Sequence, residues 1–341
     1  MSISVVVPVY NVAEYIRQFL DSLVCQTFKD IEAILVDDGS TDGTDKILDE
    51  FAASHTFMTV VHKENGGCMS AWKKGLEHAS GDYITFADPD DILFPTIYEK
   101  QYKNAIEHGA DVAICNMSAL QDGKIVPYPT CYGGLKEGCY SDGELLNIKN
   151  RLFGDGELKE SFFHFSKLNK LFKRELVFRN LHYSKDGIAF GEDVCVSAAA
   201  ILDCEKLYYT EDSLYIYRIR GESITRTCFR DRETENSLRL VAAVEEMLDD
   251  KGFDKRFARI YGQSYHISRL IKKIAAADMP KKEKKAELRK LSESPLAAEY
   301  DLKSSKKYLG KKRYLTLLML KKRHFELLLV LGKIAAKRSG L

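Results

Sequence analysis

Ile31-Glu-Ala-Ile-Leu-Val-Asp-Asp-Gly-Ser-Thr-Asp-Gly-Thr44 couples a short β-branched run to a polar, glycine-bearing loop, and a segment of helical period follows from Thr44 to Ala53. The same unit recurs on either side of it. Ile3–Val9 leads into Val12–Cys25, Met58–His62 leads into Ser70–Ala79, and Tyr83–Ala87 adds a further strand. Strands alternating with helices of this length predict βαβ units and a parallel sheet. In such sheets ligands bind beyond the carboxyl ends of the strands. Here those ends carry Pro8-Val-Tyr-Asn11, Asp37–Gly43, Glu64-Asn-Gly-Gly67 and Asp88-Pro-Asp-Asp91, so polar and glycine-rich loops gather where a site belongs.

Three regions follow from this reading. Residues 1–110 hold the regular alternation and the ligand loops. Residues 111–230 begin with the strand-like Ala113–Cys115 and continue through a Gly-, Tyr- and Lys-containing stretch, expected to complete the sheet and receive a second substrate. From Asp231 the period becomes helical, with Leu238, Val241, Val244, Glu245 and Leu248 on one stripe and further helices over Phe257–Ala276 and Lys281–Ser292. The fold class predicted is α/β with a helical C-terminal region over 231–341.

Composition sets the class more broadly. The 341 residues are 45% hydrophobic, enough for a sizeable core. Lys+Arg at 51 against Asp+Glu at 50 leaves a formal charge of +1, which argues against a dedicated nucleic-acid binder. Eight scattered cysteines form no CxxC pair, so reduced thiols in a cytoplasmic protein are the simplest reading. The N-terminus runs from Met1 straight into strand-like sequence and lacks the pattern of a signal peptide.

Two motifs carry chemistry. Asp88-Pro-Asp-Asp91 closes an apolar strand with closely spaced carboxylates, hard oxygen ligands suited to Mg²⁺ or Mn²⁺ that also touches a diphosphate. The same residue types after a strand also make turns and cap helices. In Asp37–Gly43 a carboxylate is placed to accept hydrogen bonds from a base or ribose, while Ser40, Thr41 or Asp42 is placed to cap the next helix.

Together with Ser4-Val-Val-Val-Pro-Val-Tyr-Asn11, these motifs resemble the inverting family 2 glycosyltransferases of the GT-A fold, closely over the first third of the chain and loosely over the middle third. The resemblance implies a Rossmann-like, mostly parallel sheet flanked by helices. It implies metal-dependent transfer of a sugar from a nucleotide-diphosphate donor, with uridine favoured, to an acceptor hydroxyl with inversion. Pro8 and Tyr10 would line the base pocket, Asp38 would contact the nucleobase, Asp88 would reach the ribose or metal, and Asp90 would ligate the metal. Phe190-Gly-Glu-Asp193 looks like the family's Glu-Asp motif and makes Asp193 the base, although Glu192 and Asp193 also suit the start of a helix. Asn169-Lys-Leu-Phe172 with Lys173 and Arg174 resembles a segment beneath the acceptor site. Tyr217-Arg-Ile-Arg220 with Gly221 and Ser223 resembles a loop that closes over the diphosphate, with Arg218 or Arg220 pairing to phosphate oxygens.

The chain also departs from the family pattern. Ala71-Trp72-Lys73 stands where many relatives have Ala-Arg-Asn, which leaves Lys73 as a point-charge substitute for the arginine. Pro89 separates the acidic residues without removing a proposed ligand.

Residues 303–338 concentrate twelve lysines and arginines around Tyr314–Leu320 and Phe325–Leu331. On a helical projection Lys322, Glu326, Lys333 and Lys337 share one side, and Leu317, Leu318, Phe325, Leu328 and Leu331 cover the other. This predicts either a basic amphipathic helix on an anionic membrane, within residues 303–341, or a helix packing its leucine face on the protein or on another subunit. The apolar runs are too short to span a bilayer. The expected partners are a nucleotide-sugar donor and a glycan or lipid-linked glycan acceptor of bacterial surface polysaccharide, met at the inner face of the plasma membrane, and an oligomer is compatible with this. A nucleotidyltransferase and a non-catalytic sugar-nucleotide-binding protein are the competing classes, the first disfavoured by the lack of a Gly-rich basic loop after the first strand. A dehydrogenase fits worse, because no G-x-G-x-x-G follows that strand.

Overall fold

The computed structural model describes residues 2–128, 132, 134–154, 163–188, 190–220 and 232–338. These form two compact units: residues 1–149 with 164–219, and residues 150–163 with 220–341.

In the first unit, β1 (Ile3–Val9), α1 (Ile16–Val24), β2 (Ile31–Asp37), α2 (Thr44–Ser54), β3 (Met58–His62), α3 (Cys68–Leu76) and β4 (Tyr83–Phe86) realise the alternation read from the sequence. Then come β5 (Ile92–Leu93), α4 (Ile97–His108), β6 (Val112–Gln121), β7 (Lys124–Pro127), β8 (Gly138–Ser141), α5 (Asp142–Asn150), β9 (Lys170–Lys173), α6 (Arg174–Arg179), α7 (Glu192–Asp203) and β10 (Lys206–Arg218). Among the described residues these strands make one sheet in the order β3-β2-β1-β4-β9-β6-β10-β5, with β7 added to β6 and β8 to β10. Strands β1 to β4 run parallel, while β9 runs antiparallel to both β4 and β6. The sheet is therefore mixed: its first four strands are parallel, and β6 and β10 form a second parallel pair.

Every residue of β1 is buried, as expected of a strand covered on both faces. Pro8 sits inside it without costing a ladder bond. The Val6 carbonyl accepts the Ala87 N–H on the β4 side and the Val9 carbonyl accepts the Asp38 N–H on the β2 side. Alternation thus turns the missing Pro8 donor toward β4, where pairing has already ended at Val6↔Phe86. The two strands part there, at the point where strand order reverses direction along the sheet, which is where ligands bind in open α/β sheets. Helix α3 lies close on β1 because Gly75 has no Cβ; one added there would come within 2.6 Å of Val6 Cγ1.

The second unit contains α8 (Glu233–Asp250), a π-helical turn at Ala258–Gln263, α9 (Ser264–Ala276), α10 (Lys281–Glu293), α11 (Pro295–Ala298), α12 (Leu302–Ser305), α13 (Lys311–Lys321) and α14 (Phe325–Arg338). Their shared core includes Ile267, Leu270, Ile274, Leu288, Leu317, Phe325 and Leu328. On α8 the buried positions are Asn236, Ser237, Leu240, Ala243, Val244, Met247 and Leu248, so Val244 and Leu248 of the expected stripe pack inward while Leu238 and Val241 are only partly covered. None of the described helices is long and apolar enough to cross a membrane.

Candidate active site

The polar loops at the carboxyl ends of β1 and β2 are stitched together. Asn11, held at φ 49°, donates its N–H to Ser40 Oγ at 3.0 Å, and its Oδ1 accepts the Thr41 N–H at 2.8 Å. Asp42 accepts the Ala13 N–H at 3.0 Å and the Thr44 N–H at 3.1 Å, so it serves the first turn of α2 while Ser40 and Thr41 serve Asn11. Asp38 is buried. Its Oδ1 accepts from Lys63 Nζ at 2.6 Å and Gly66 N–H at 2.9 Å, and its Oδ2 accepts the Gly67 N–H at 2.7 Å. It thereby fixes the loop entering α3. Tyr10 stands beside these loops 50% exposed, a flat face open to solvent, while Pro8 is buried in β1.

Beyond β4 the acidic loop is crowded. Asp88, Asp90 and Asp91 each offer a carboxylate oxygen within 4.8 Å of the others. Asp91 is fully buried and committed to the protein: its Oδ2 accepts from Tyr215 Oη at 2.7 Å and its Oδ1 from the Arg218 N–H at 2.7 Å. Tyr215 Oη in turn accepts the Asp88 N–H at 3.1 Å. The Arg218 side chain donates from Nε to the Asp90 carbonyl at 2.6 Å and from Nη2 to Gln18 Oε1 at 2.6 Å, with its guanidinium over the Tyr15 ring. Arg218 is thus brought to the acidic loop and holds its backbone. Burial, and then the neighbouring Asp90 charge, push the Asp88 carboxyl up to about 7, and burial with the Asp88 charge raises Asp91 well above the carboxylate range. Hard oxygen donors at this spacing, paying mutual repulsion, fit a divalent cation bound by Asp88 and Asp90.

A second acidic cluster begins α7. Glu192 and Asp193 occupy its first turn, after Gly191 at φ 82°. Lys167, with its side chain 3% exposed, pairs with Asp193 Oδ1 and lies 3.4 Å from Glu192 Oε1, with its ammonium over the Phe86 ring at 5.8 Å. Burial pulls the Lys167 ammonium down, but Asp193 and Glu192 outweigh it and hold it well above the ordinary lysine value. Burial raises Glu192 in spite of Lys167. Lys167, Asp193 and Glu192 all act electrostatically on Asp88, so both clusters belong to one neighbourhood. Composition and spacing did not mark Lys167 or Tyr215. Nothing near them in sequence signals their partners.

Lys73, on α3, pairs with Asp186 Oδ1 at 3.0 Å. Asn169 and Lys170 lie beneath in the buried sheet: Asn169 Nδ2 donates to Tyr132 Oη at 2.5 Å, and Lys170 Nζ to the Ser166 and His164 carbonyls at 2.5 and 3.0 Å. Lys173 pairs with Asp111 at 2.5 Å, and Arg174 lies over the Phe178 ring. Arg220 opens the second unit, and Gly221 and Ser223 lie outside the described residues, as do Cys131 and Cys228.

A family model for glycosyl transferase family 2 matches residues 4–178, just over half of the chain. The chain belongs to this family. Among its relatives, glycosyltransferase GlyG of Streptococcus pneumoniae serotype 4 is 37% identical over 230 residues, 67% of this chain and 74% of that protein. Glycosyltransferase GlyA of the same organism is 37% identical over 225 residues, 66% of this chain, and the match spans only 31% of GlyA's length. Family 2 membership makes this chain a glycosyltransferase, and its fold is GT-A. A solved structure of S. aureus TarS 1-349 in complex with UDP-GlcNAc superposes with a TM-score of 0.67 at 19% identity, covering 100% of this chain and 92% of that one.

Proposed function

We propose that this glycosyltransferase moves a sugar from a UDP-sugar to an acceptor hydroxyl with inversion at the anomeric carbon, assisted by Mn²⁺ or Mg²⁺. The observation that carries the reading is the convergence of two acidic clusters, Asp88–Asp91 and Glu192–Asp193, beside the opening between β1 and β4. The bound nucleotide sugar of the TarS complex supports the donor class.

Asp88 and Asp90 would hold the cation, which when bound supplies positive charge against the departing diphosphate. The exposed ring of Tyr10 and the edge of Pro8 receive the uracil, and Asp38 orients the loop that borders it and accepts from the base. Lys73 and Arg218 offer positive charge to the phosphates. Asp193 takes the proton of the attacking hydroxyl. The hydroxyl oxygen then bonds to the anomeric carbon from the face opposite the leaving group, the bond to the diphosphate breaks, and UDP leaves with the electron pair. Lys167 holds Asp193 in place between turnovers. The acceptor is a glycan of bacterial surface polysaccharide, carried on a lipid and met at the cytoplasmic face of the membrane.

The donor is tested by thermal shift with UDP-, GDP- and dTDP-sugars, with and without Mn²⁺, since a ligand that binds only the native state raises its apparent stability. A Mn²⁺-dependent shift confined to UDP-sugars supports the reading. A shift with GDP- or dTDP-sugars alone, or none in folded protein, overturns the UDP assignment. Inversion is checked by the anomeric configuration of the product.

A further inference from the structure

Helix α14 is apolar on two opposite faces, and the protein covers only one. Phe325, Leu328, Leu329 and Ala336 are buried, and Gly332 meets α9 so closely that a Cβ there would lie 2.8 Å from Ala275 Cβ. On the other side Leu327, Val330, Leu331 and Ile334 are 49%, 58%, 42% and 47% exposed. Their spacing of three and four residues confines them to an arc of about 100°. A helix resting on a core ordinarily turns charge toward water there.

The border of this stripe is basic. Lys333 and Lys337 of α14 are exposed along one side of it. On the same side Glu326 accepts from two lysines of α10, from Lys281 at 2.5 Å and from Lys285. Two ammonium groups thus share that carboxylate, and Lys333 and Lys337 add two more positive charges to the same side. With Glu326 already engaged by two lysines, that flank is net positive, and a sheet of lipid phosphates complements it. Apolar area and basic charge act together when a helix lies in the interface of an anionic bilayer. At roughly 1.5 Å per residue, α14 is about 21 Å long, so it lies in the interface and does not span the bilayer.

We propose that the Leu327–Val330–Leu331–Ile334 face of α14 docks into the interfacial layer of an anionic lipid membrane, with Lys281, Lys285, Lys333 and Lys337 against the headgroup phosphates. The docking face differs from the leucine face that sequence projection emphasised, because Leu317, Phe325 and Leu328 are spent on the core.

Co-sedimentation of the full chain with vesicles of phosphatidylcholine alone, and of phosphatidylcholine with phosphatidylglycerol, tests this. The wild type is expected to pellet with the anionic vesicles and to be released by high salt. The combined Leu327→Ser, Val330→Ser, Leu331→Ser and Ile334→Ser variant is expected to lose binding while keeping its melting temperature, since these side chains face solvent. Lys333→Glu with Lys337→Glu is expected to weaken binding more than about tenfold and provides an independent arm should the serine variant fail to fold. No wild-type binding to anionic vesicles, or unchanged binding in the lysine variant, overturns the proposal. A concentration-dependent dimer that the serine substitutions convert to monomer also overturns it, in favour of a second copy. Donor binding and transfer to a soluble acceptor are read separately, so this result stands or falls independently of the proposed activity.

Discussion

The two acidic clusters of the first unit are built on opposite plans. Asp88, Asp90 and Asp91 crowd together, and the Tyr215 hydroxyl and the Arg218 N–H hold Asp91. Glu192 and Asp193 instead share an almost fully buried lysine. One cluster gathers three carboxylates at a spacing that suits a divalent cation, and the other carries a buried counter-ion. The difference teaches that acidic motifs alike in sequence diverge in chemistry through the partners that distant strands deliver.

The contrast is open to attack at several points. The largest effect is expected from Asp193→Asn, which should lower transfer by about 10²–10⁴-fold while leaving Mn²⁺-dependent donor binding intact; single-turnover kinetics beside a donor titration would read both. Retained turnover would erase the distinction between the clusters. Lys167→Met should destabilise the fold by about 3 kcal/mol, because one ammonium is removed from two carboxylates, and should lower transfer; Lys167→Arg should restore part of each. Saturating Mn²⁺, at about 100 times its Kd, should raise stability by about 2.7 kcal/mol, and Asp90→Asn should abolish that rise whereas Lys167→Met should not. Tyr215→Phe strips Asp91 of its hydroxyl donor and the Asp88 N–H of its acceptor, with an expected cost of about 2 kcal/mol in thermal or urea denaturation.

Asp111, remote from the chemistry, provides the smallest effect and a calibration. Burial pushes its carboxyl up, but Lys173 and the N–H groups of Lys206 and Glu205 hold it below the ordinary carboxylate value. A depressed native value means that the stabilisation is full above about pH 4 and is lost as pH falls through the native titration. Asp111→Asn should therefore cost about 1 kcal/mol at pH 7, with the difference from wild type vanishing below about pH 4.

Much of the parallel half was legible. The β-branched runs ending in polar loops became β1 to β4 within a residue or two, because each strand and its helix are encoded side by side. The crowded acidic loop Asp88–Asp91 after β4 was legible for the same reason. Lys167 was not, since its meaning depends on Asp193, 26 positions away, and on burial that no local pattern announces. Tyr215 was hidden by the register shifts of β10 between Tyr209 and Tyr215, which sequence alternation does not record. On α14 the apolar residues surround the helix, so projection alone had no means to choose which side packs.

The tie between Asp88 and Tyr215 spans 127 positions of chain, and the one between Asp91 and Arg218 spans as many. During synthesis the early strands emerge long before the residues that finish the acidic loop. A nascent chain can therefore assemble its parallel strands first and acquire a shaped acidic loop only when β10 arrives, so competence for transfer comes late, as the last strands close the sheet.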